Sequence, residues 1–290
     1  MERSVYEKKV LEMLRTPTYK ELPSDPSPSF NALFVRANYG RPGAFYALVK
    51  THKFPHAPLN KDERQQWITN LKLRPILPGF SSIDGKLAKH LTVVLQTLPK
   101  PPLSIRSPLE ALERLRKVEG DRFRLISLDV FSMFPSIPTD QALPLIQSLL
   151  ERYHDMVKVV SPLSPATLTS LLELSIANTY AAVQEGEETR FFRQVSGLAM
   201  GKSYSPEVAN LFMGEWEKPM QAWAEEVGAG LVFGMRYADD YCLGFTGDDE
   251  QLRQFLQKAN ASNPTIQCEL EVEKNRSLSF LDILITRRQT

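Results

Sequence analysis

The sequence has little of what several common protein classes need. Its 290 residues include 2 cysteines, Cys242 and Cys268, which form neither a disulfide framework nor a zinc site. No apolar run reaches the roughly 18 residues of a membrane-spanning helix, and the first residues do not resemble a signal peptide. We therefore expect an intracellular protein, nuclear or cytoplasmic and not secreted, without membrane contact and with both thiols buried and reduced.

What is present is typical of a globular protein. Hydrophobic residues make up 42% of the chain and charged residues 24%. A chain of this length buries a sizeable core as one large domain or as two lobes.

The net charge of +1 conceals an asymmetry between the two parts of the chain. Residues 1–124 hold 22 Lys and Arg against 12 Asp and Glu, whereas residues 125–290 hold 13 against 22. A basic part beside an acidic part indicates a surface that contacts a polyanion next to one that binds cations. A basic segment that is merely solvated remains the alternative.

Hydrophobic periodicity predicts an α+β protein in which helices cover one face of a sheet. The predicted elements are a strand over 123–134, helices over 139–153, 163–183, 205–227 and 249–260, a strand–turn–strand over 230–247, and two closing strands. Ahead of them, we expect a helix from about Ser82 to Leu98 and another over 107–119.

Three aspartates lie where an apolar strand should not carry charge. Asp129 interrupts "LISLDVF", and Asp239 and Asp240 stand at the turn of "MRYADDYCLGF". Clustered carboxylates repel one another, so a divalent cation is their natural partner, and oxygen-only ligands favour magnesium. Adjacent strand residues face opposite sides, so we expect Asp239 to be the direct ligand and Asp240 to lie at the margin.

Three segments in order carry a family resemblance. "YADD" (Tyr237–Asp240) resembles the Y-x-D-D signature of reverse transcriptases. "SLDVFSMFPSIP" resembles their first carboxylate strand, and "QVSGLAMGKSYSPEVANLFM" resembles the segment that lines their nucleotide and template pocket. "ALVKTHKF", "LRPILPG", the "GLAMG" form and "SLSFLDILI" are similar to the reverse transcriptases of Penelope-like elements. The likeness runs from about residue 45 to 286.

The resemblance implies a right-hand polymerase with fingers and an antiparallel palm sheet packed on helices. Residues 1–35 would form an N-terminal extension, 36–122 the fingers, and 123–290 the palm with a fingers-like helical insertion at about 155–192. The implied activity is RNA-directed DNA synthesis, with an RNA template, a DNA or RNA primer, deoxynucleoside triphosphates and two Mg²⁺ ions, for which Mn²⁺ substitutes. Such ions clamp the attacking and leaving oxygens of an in-line phosphoryl transfer.

The resemblance also assigns roles to single residues. Asp129, Asp239, Asp240 and the backbone carbonyl of Val130 would bind metal, and Lys274 would be the general acid. Nucleotide binding would fall to Arg74, Lys53 (or Lys50), Val130, Phe134, Gln194 and Gly197, with Gly201 also giving close backbone approach. Phe134 would exclude a 2′-hydroxyl, and Arg74 would hold the triphosphate. A packed core ring, solvated cations and an ordinary turn are the plainer alternatives for these positions.

The sequence also departs from the family pattern. Met200 replaces a glutamine of the commoner pocket motif, and no thumb or GIY-YIG endonuclease follows "FLDILITRRQT". We therefore expect a minimal fingers–palm unit, a shortened chain or a degenerate copy, with a partner supplying the thumb function. An RNA-templated RNA polymerase and a catalytically impaired nucleic-acid-binding scaffold are the competing hypotheses.

Overall fold

The computed structural model describes residues 3–28, 42–49, 60, 72–79, 84–120 and 122–288. The strands are β1 (Tyr19–Leu22), β2 (Gly43–Ala44), β3 (Tyr46–Val49), β4 (Leu73–Ile76), β5 (Arg124–Val130), β6 (Tyr180–Glu185), β7 (Glu188–Gln194), β8 (Leu231–Tyr237), β9 (Asp240–Phe245), β10 (Cys268–Val272), β11 (Ser277–Phe280) and β12 (Ile283–Thr286). The helices are α1 (Arg3–Leu14), α2 (Gly85–Gln96), α3 (Pro108–Leu115), α4 (Met133–Ser136), α5 (Thr139–Arg152), α6 (His154–Val157), α7 (Pro165–Ala177), α8 (Ser205–Trp216), α9 (Met220–Glu226) and α10 (Asp249–Ser262). None of these described helices is long and apolar enough to cross a membrane.

Contacts divide the chain into two units. Unit 1 holds the described parts of residues 1–97 and 147–205, and unit 2 holds those of 98–146 and 206–290. This division differs from the boundaries at 35 and 122 that the resemblance implies. The names fingers and palm, and the helical insertion at about 155–192, stay predictions.

Unit 1 contains a four-stranded sheet in the order β1-β7-β6-β2 and a separate β3-β4 pair. One face of the larger sheet packs on α1, because Leu11 and Leu14 share a buried cluster with Ala181 and Phe192. Phe45 belongs to the same cluster and meets the ring of Tyr19 edge-on at 6.0 Å.

Unit 2 contains a four-stranded antiparallel sheet in the order β10-β5-β9-β8, together with the β11-β12 hairpin. Helices pack on one face: Trp216 of α8 meets the ring of Tyr241, and Phe255 of α10 meets that of Phe245. On the other face, Leu125, Met235 and Cys242 form a buried cluster with Ile105, Ala111, Phe123, Leu278 and Phe280. An α+β protein with antiparallel sheets is therefore confirmed.

Local sequence explains where several helices begin. Ser107 and Ser164 cap α3 and α7 by accepting the N–H of the residue three positions on, and each is followed by proline. Asp248 and Gln251 form a reciprocal capping box at the start of α10. Ser82, the cap predicted for α2, lies outside the described residues.

Two predicted helices were wrong in part. The helix expected over 163–183 ends at Ala177, and the unpredicted hairpin of β6 and β7 follows it. The helix expected over 205–227 is interrupted between α8 and α9 at Pro219, which has no N–H to donate.

Two predicted strands also need correction. The strand expected to reach residue 134 ends at Val130, and Phe134 lies in the short helix α4. The last predicted strand is the β11-β12 hairpin, turned by Leu281 at φ 54° and Asp282.

Candidate active site

The three sequence-predicted carboxylates lie at one end of the unit 2 sheet. Asp129, near the end of β5, pairs directly with Asp240, the first residue of β9. Opposite residues of an antiparallel pair lie on the same face, with Cα atoms about 4.5–5.5 Å apart. Asp239 is in the turn, and its carbonyl accepts the N–H of Val130 at 3.1 Å. Residues about 110 positions apart are thus neighbours.

The turn between β8 and β9 explains how two adjacent aspartates fit there. Tyr237 pairs with Asp240, which leaves Ala238 and Asp239 as a two-residue loop. Ala238 has a φ of 54°, and Asp239 is not among the residues of positive φ. That pattern fits a type II′ hairpin turn, whose first position usually holds glycine. Because Asp239 lies in the turn, its side chain does not follow the alternation that sends neighbouring strand residues to opposite faces of the sheet.

Asp240, expected at the margin, is the residue that shares the sheet face of Asp129. A third strand adds to this row, because Glu269 of β10 pairs with Asp129 from the other side. Glu269 was missed by the sequence reasoning. Apolar and charged residues alternate in "CELEV", which predicts that Glu269 lies on the exposed face of β10. Only the strand register places Glu269 beside Asp129.

A buried hydrogen-bond network of Arg236, Glu217 and Tyr241 contacts the β8–β9 turn. Arg236 has 0% of its surface exposed, and its Nε donates to Glu217 Oε2 at 2.6 Å. Its other nitrogens donate to the carbonyls of Ala238 at 3.2 Å and Asn210 at 3.1 Å. Tyr241 donates its hydroxyl to the same Glu217 oxygen at 2.9 Å. Burial, followed by the charge of Glu217, raises the pKa of Tyr241, so the phenol stays a proton donor.

This network was also missed by the sequence reasoning. The signal was an arginine inside the apolar strand "VFGMRY", a position that is costly without a buried partner. Because Arg236 bonds a turn carbonyl, it is a positioning residue for the carboxylate-bearing hairpin.

These residues have the ligand atoms that a magnesium ion prefers, but the described side chains do not form a complete metal site. Carboxylate oxygens are the donors that Mg²⁺ prefers. Among the residues that the structure describes, however, no group of three His, Cys, Asp or Glu side chains is arranged to hold an ion. The Asp129–Asp240 pair therefore brings two carboxylates to one face of the sheet, and the two magnesium ions stay a prediction.

Lys274 does not lie near these carboxylates. β10 runs antiparallel to β5, so Lys274 lies five residues beyond Glu269, toward the opposite end of the sheet. At about 3.3 Å per residue, this is on the order of 16 Å along the strand. Such a distance argues against the predicted general-acid role.

Phe134 lies in α4, the short helix that follows β5. It is partly buried in α4, which starts after Ser132 at φ 46°. Its predicted role as a sugar gate stays a prediction.

The predicted nucleotide-binding residues of unit 1 form a separate set. Arg74 is exposed on β4, opposite Leu48 of β3. Gln194 is buried, and its Nε2 donates to the carbonyl of Ser196 at 2.9 Å. Gly197 is buried with a φ of 69°. Lys50 and Lys53 lie outside the described residues.

The segment that contains Gly197 and Gly201 lies directly against the residues that follow β4. Leu77 donates its N–H to the carbonyl of Met200 at 2.7 Å, and Gly79 donates to that of Gly201 at 3.0 Å. A Cβ on Gly201 would come within 2.1 Å of the Leu77 oxygen. Only glycine fits there, and the contact fixes this segment relative to the strand that carries Arg74.

A buried ion pair stabilises the same segment. Lys202 Nζ donates to the carboxylate of Asp84, and both side chains are at most 3% exposed. Ser175 donates its hydroxyl to that carboxylate as well, and its Oγ lies 3.1 Å from Tyr204 Oη. Burial lowers the pKa of Lys202, and the neighbouring Asp84 charge opposes this effect.

Comparison with solved structures identifies the fold. A telomerase from Candida albicans with a fragment of telomeric RNA matches with a TM-score of 0.64, at 11% identity over 98% of this chain and 49% of the other. An apo telomerase from Candida tropicalis, truncated from its C-terminal domain, matches with a TM-score of 0.63, at 12% identity over 98% of this chain and 58% of the other. The fold is a reverse-transcriptase-like polymerase fold.

A more distant match agrees with this fold. A structure titled as an RNA-dependent RNA polymerase with vp4 and double-stranded RNA matches with a TM-score of 0.50, at 14% identity over 74% of this chain and 21% of the other. The chain spans roughly half the length of the telomerase chains it matches. No protein-family model and no curated protein sequence matches it, so the Penelope-like relationship stays a prediction.

Proposed function

We propose that this chain is an RNA-directed DNA polymerase of the Penelope-like type, which adds deoxynucleotides to a primer 3′-hydroxyl. The observation that carries this proposal is the direct pairing of Asp129 with Asp240, beside a turn that presents Asp239, in a polymerase fold. Three clustered carboxylates at a sheet end add nothing to stability, because like charges repel. We propose that a bound divalent cation offsets this repulsion.

The proposed metal site uses Asp129, Asp239 and Asp240, with the Val130 carbonyl as a further donor. Bound Mg²⁺ would neutralise the charge that develops on phosphate oxygens during phosphoryl transfer. The chain's own contribution is to bring the carboxylates together through the β5-β9 register and to hold the turn through Arg236.

In unit 1, the exposed Arg74 would bind the triphosphate, because a guanidinium donates two parallel hydrogen bonds to phosphate oxygens. Lys53 would add charge, and Gly197 would let the backbone approach a base. The RNA named in the Candida albicans telomerase structure supports a nucleic-acid template as partner. We propose that a partner supplies the thumb function.

The test is extension of a primed RNA template by the purified chain, with deoxynucleotides, in Mg²⁺ and in chelator. Asp129→Asn and Asp239→Asn should lower extension about a thousandfold, equivalent to about 4 kcal/mol, because each removes a proposed metal ligand. Duplex binding should stay within a few-fold, since neither change removes a phosphate contact. The matched control is Asp155→Asn, because Asp155 is an exposed carboxylate on α6 that pairs with Lys158. Wild-type extension by Asp129→Asn would refute the assignment.

Sugar selectivity tests the role of Phe134. Phe134→Ala should raise ribonucleotide incorporation relative to deoxynucleotide incorporation, because the ring would no longer collide with a 2′-hydroxyl. Unchanged selectivity would leave Phe134 as a core residue. Preferential use of ribonucleotides by the wild-type chain would instead favour an RNA-templated RNA polymerase.

A second candidate function is a catalytically impaired nucleic-acid-binding scaffold. It is favoured by the finding that no three-carboxylate group among the described residues is arranged to hold an ion. Salt-sensitive RNA binding without primer extension at any Mg²⁺ or Mn²⁺ concentration would establish this reading.

A further inference from the structure

A polar pocket of unit 2 lies between the start of α3 and the chain segment that precedes it. Its volume is about 460 Å³, and its lining includes three cations, Lys100, Arg106 and Arg114, and one carboxylate, Glu110. A volume of this size is within the range of ligand sites in proteins. We call this site the cationic pocket.

One of the three cations forms the wall of the pocket. Arg114 donates to the carbonyls of Pro102 at 2.7 Å and Ser104 at 2.8 Å, and also to Glu110 Oε1 at 2.8 Å. The other oxygen of Glu110 accepts the N–H of Arg106 at 2.9 Å. These bonds tie α3 to the segment before it, so the pocket is ordered before a ligand arrives and binding costs less entropy.

The other two cations are available to a ligand. Lys100 and Arg106 are exposed, and within the described part of the chain neither side chain donates a hydrogen bond or forms an ion pair. Burial would raise the pKa of Glu110, but hydrogen bonds from the Arg106 N–H and from Arg114 lower it below its ordinary value. Glu110 is therefore ionised, and three cations against one carboxylate leave the pocket with a net charge of +2. Such a site attracts an anion.

Backbone pairing joins one side of the pocket to the sheet of unit 2. Ser104 pairs in parallel with Arg236 of β8. Arg236 donates its N–H to the Leu103 carbonyl at 2.7 Å, and Ile105 donates its N–H to the Arg236 carbonyl at 2.8 Å. The segment thus extends the β8 edge and runs in the direction of β8, toward the β8–β9 turn.

This register places the pocket near the carboxylate end of the sheet. Ile105 is level with Tyr237, which pairs with Asp240 on the next strand. Two strand spacings, roughly 10 Å, therefore separate the backbone of Ile105 from that of Asp240. Arg106 follows Ile105 directly, so one of the two available cations lies beside the proposed metal site.

A nucleic-acid strand matches both the charge and this distance. A phosphate group accepts hydrogen bonds from a guanidinium fork and from an ammonium group. Each strand carries one phosphate per roughly 3.4 Å of helix axis, so a strand that ends at the carboxylates has a phosphate near the pocket about three nucleotides from its end.

We propose that the cationic pocket binds a backbone phosphate of the nucleic-acid strand whose end lies at Asp129 and Asp240, with Lys100 and Arg106 as donors. The position of the pocket favours a strand over an acidic peptide, because one strand is held at both places. The inference deepens the proposed function. It rests on that function for which strand is bound, and not for the phosphate contact itself.

The test is binding of a fluorescein-labelled DNA primer on an RNA template, measured by anisotropy across a salt series in Mg²⁺ without nucleotides. Lys100→Met and Arg106→Met should each reduce the slope of log K against log salt by about 1. Each should weaken binding about tenfold at about 0.1 M salt and little at about 1 M, because counterion release vanishes there. Arg106→Lys, which keeps the charge, should keep the wild-type slope and bind better than Arg106→Met.

Matched controls come from α10 of the same unit. Arg253→Met and Lys258→Met each remove an exposed cation, paired with Glu250 and Glu226 respectively. The control double variant should keep the wild-type slope. If the Lys100→Met and Arg106→Met double variant is folded by circular dichroism and binds the duplex like wild type, the inference is wrong. An equal loss of slope in the control pair, or no binding by wild type, would also overturn it.

Two competitors distinguish other anions from a nucleic-acid backbone. Inorganic phosphate at constant ionic strength should not displace the duplex. Displacement by phosphate that disappears in the Lys100→Met and Arg106→Met double variant would reveal a free-phosphate site and contradict the inference. A polyglutamate peptide that displaces the duplex as readily as unlabelled duplex would contradict it too, in favour of an acidic protein segment.

The binding assay separates this inference from the proposed function because it contains no nucleotide to incorporate. Asp129→Asn should bind the duplex with the wild-type slope while failing to extend the primer. Binding that depends on Lys100 and Arg106 in a protein that never extends a primer would uphold the pocket and refute the polymerase. Normal extension with unaltered binding in the double variant would do the reverse.

Discussion

Gly201→Ala should destabilise unit 1 severely. Gly201 has a φ of 118°, a conformation that residues with a Cβ rarely adopt. The new methyl group would lie 2.1 Å from the Leu77 carbonyl oxygen and 2.8 Å from its carbon. Both atoms are backbone, so no side-chain rotation relieves the overlap.

The magnitude follows from two contributions. Forcing alanine into this backbone conformation costs about 1–3 kcal/mol. Separating the two segments also breaks the Leu77–Met200 and Gly79–Gly201 backbone hydrogen bonds, which contribute about 0.5–1.5 kcal/mol each. We expect a loss of about 4 kcal/mol, a large fraction of the roughly 5–15 kcal/mol that stabilises a typical domain.

Gly186→Ala is the matched control in the same unit. Gly186 also has a positive φ, 62°, but a Cβ there meets nothing within 4 Å. The substitution should cost only the left-handed penalty of about 1–2 kcal/mol. Effects of alanine on the unfolded chain are the same in both variants and cancel in the difference.

Urea and thermal unfolding, followed by circular dichroism, measure the difference. The midpoint of Gly201→Ala should lie well below that of Gly186→Ala, by about 2–4 °C per kcal/mol. If the two variants unfold within about 0.5 kcal/mol of each other, the close backbone approach does not restrain this segment, and the steric reasoning fails.

Two further predictions concern buried and paired charges. Lys202→Met should lower the free energy of unfolding by about 3–5 kcal/mol, because it leaves the buried Asp84 carboxylate without its cation. The double variant Asp84→Asn and Lys202→Met should recover most of that loss, which a double-mutant cycle of thermal unfolding measures. Additive losses would show that the pair is not coupled. Burial alone would raise the pKa of Glu273, but hydrogen bonds from Arg287 and the Leu125 N–H lower it below its usual 4.5. The stability it contributes is therefore present above about pH 4.5 and lost as pH falls through the lowered pKa. Melting temperatures between pH 3 and 6 should fall more steeply for wild type than for Glu273→Gln, and parallel curves would contradict this assignment.

The sequence predicted the elements whose patterns are local and strong. The strand–turn–strand around "YADD" was correct because apolar alternation on both sides of the turn admits one interpretation. The convergence of Asp129 with Asp239 and Asp240 was inferred from the cost of charge in apolar strands together with the resemblance. The pairing register confirms that they are neighbours.

The elements missed depend on local interruptions of an apolar pattern. Asn178 ends α7, and the following "TYAAV" forms β6 although its apolar residues continue the helical spacing. Pro219 signalled the break between α8 and α9, and that signal was outweighed by periodicity.

The features of the site that could not be predicted depend on register. Glu269 lies beside Asp129, and Lys274 lies far from it, only because β10 is antiparallel to β5 and starts at its carboxylate end. Neither strand's own sequence specifies that pairing. The buried contact of Arg236 with the Ala238 carbonyl likewise requires the completed hairpin.

The interleaving of unit 1 with unit 2 along the chain has a consequence during synthesis. Val10, Leu11 and Leu14 emerge first, but Ala181 and Phe192, which bury them, follow far later. At about 5–20 residues per second, the early helix waits on the order of ten seconds with its apolar side uncovered. A chain whose translation stops near residue 146 would therefore expose the apolar side of α1 and be prone to aggregate, even if its individual helices had formed.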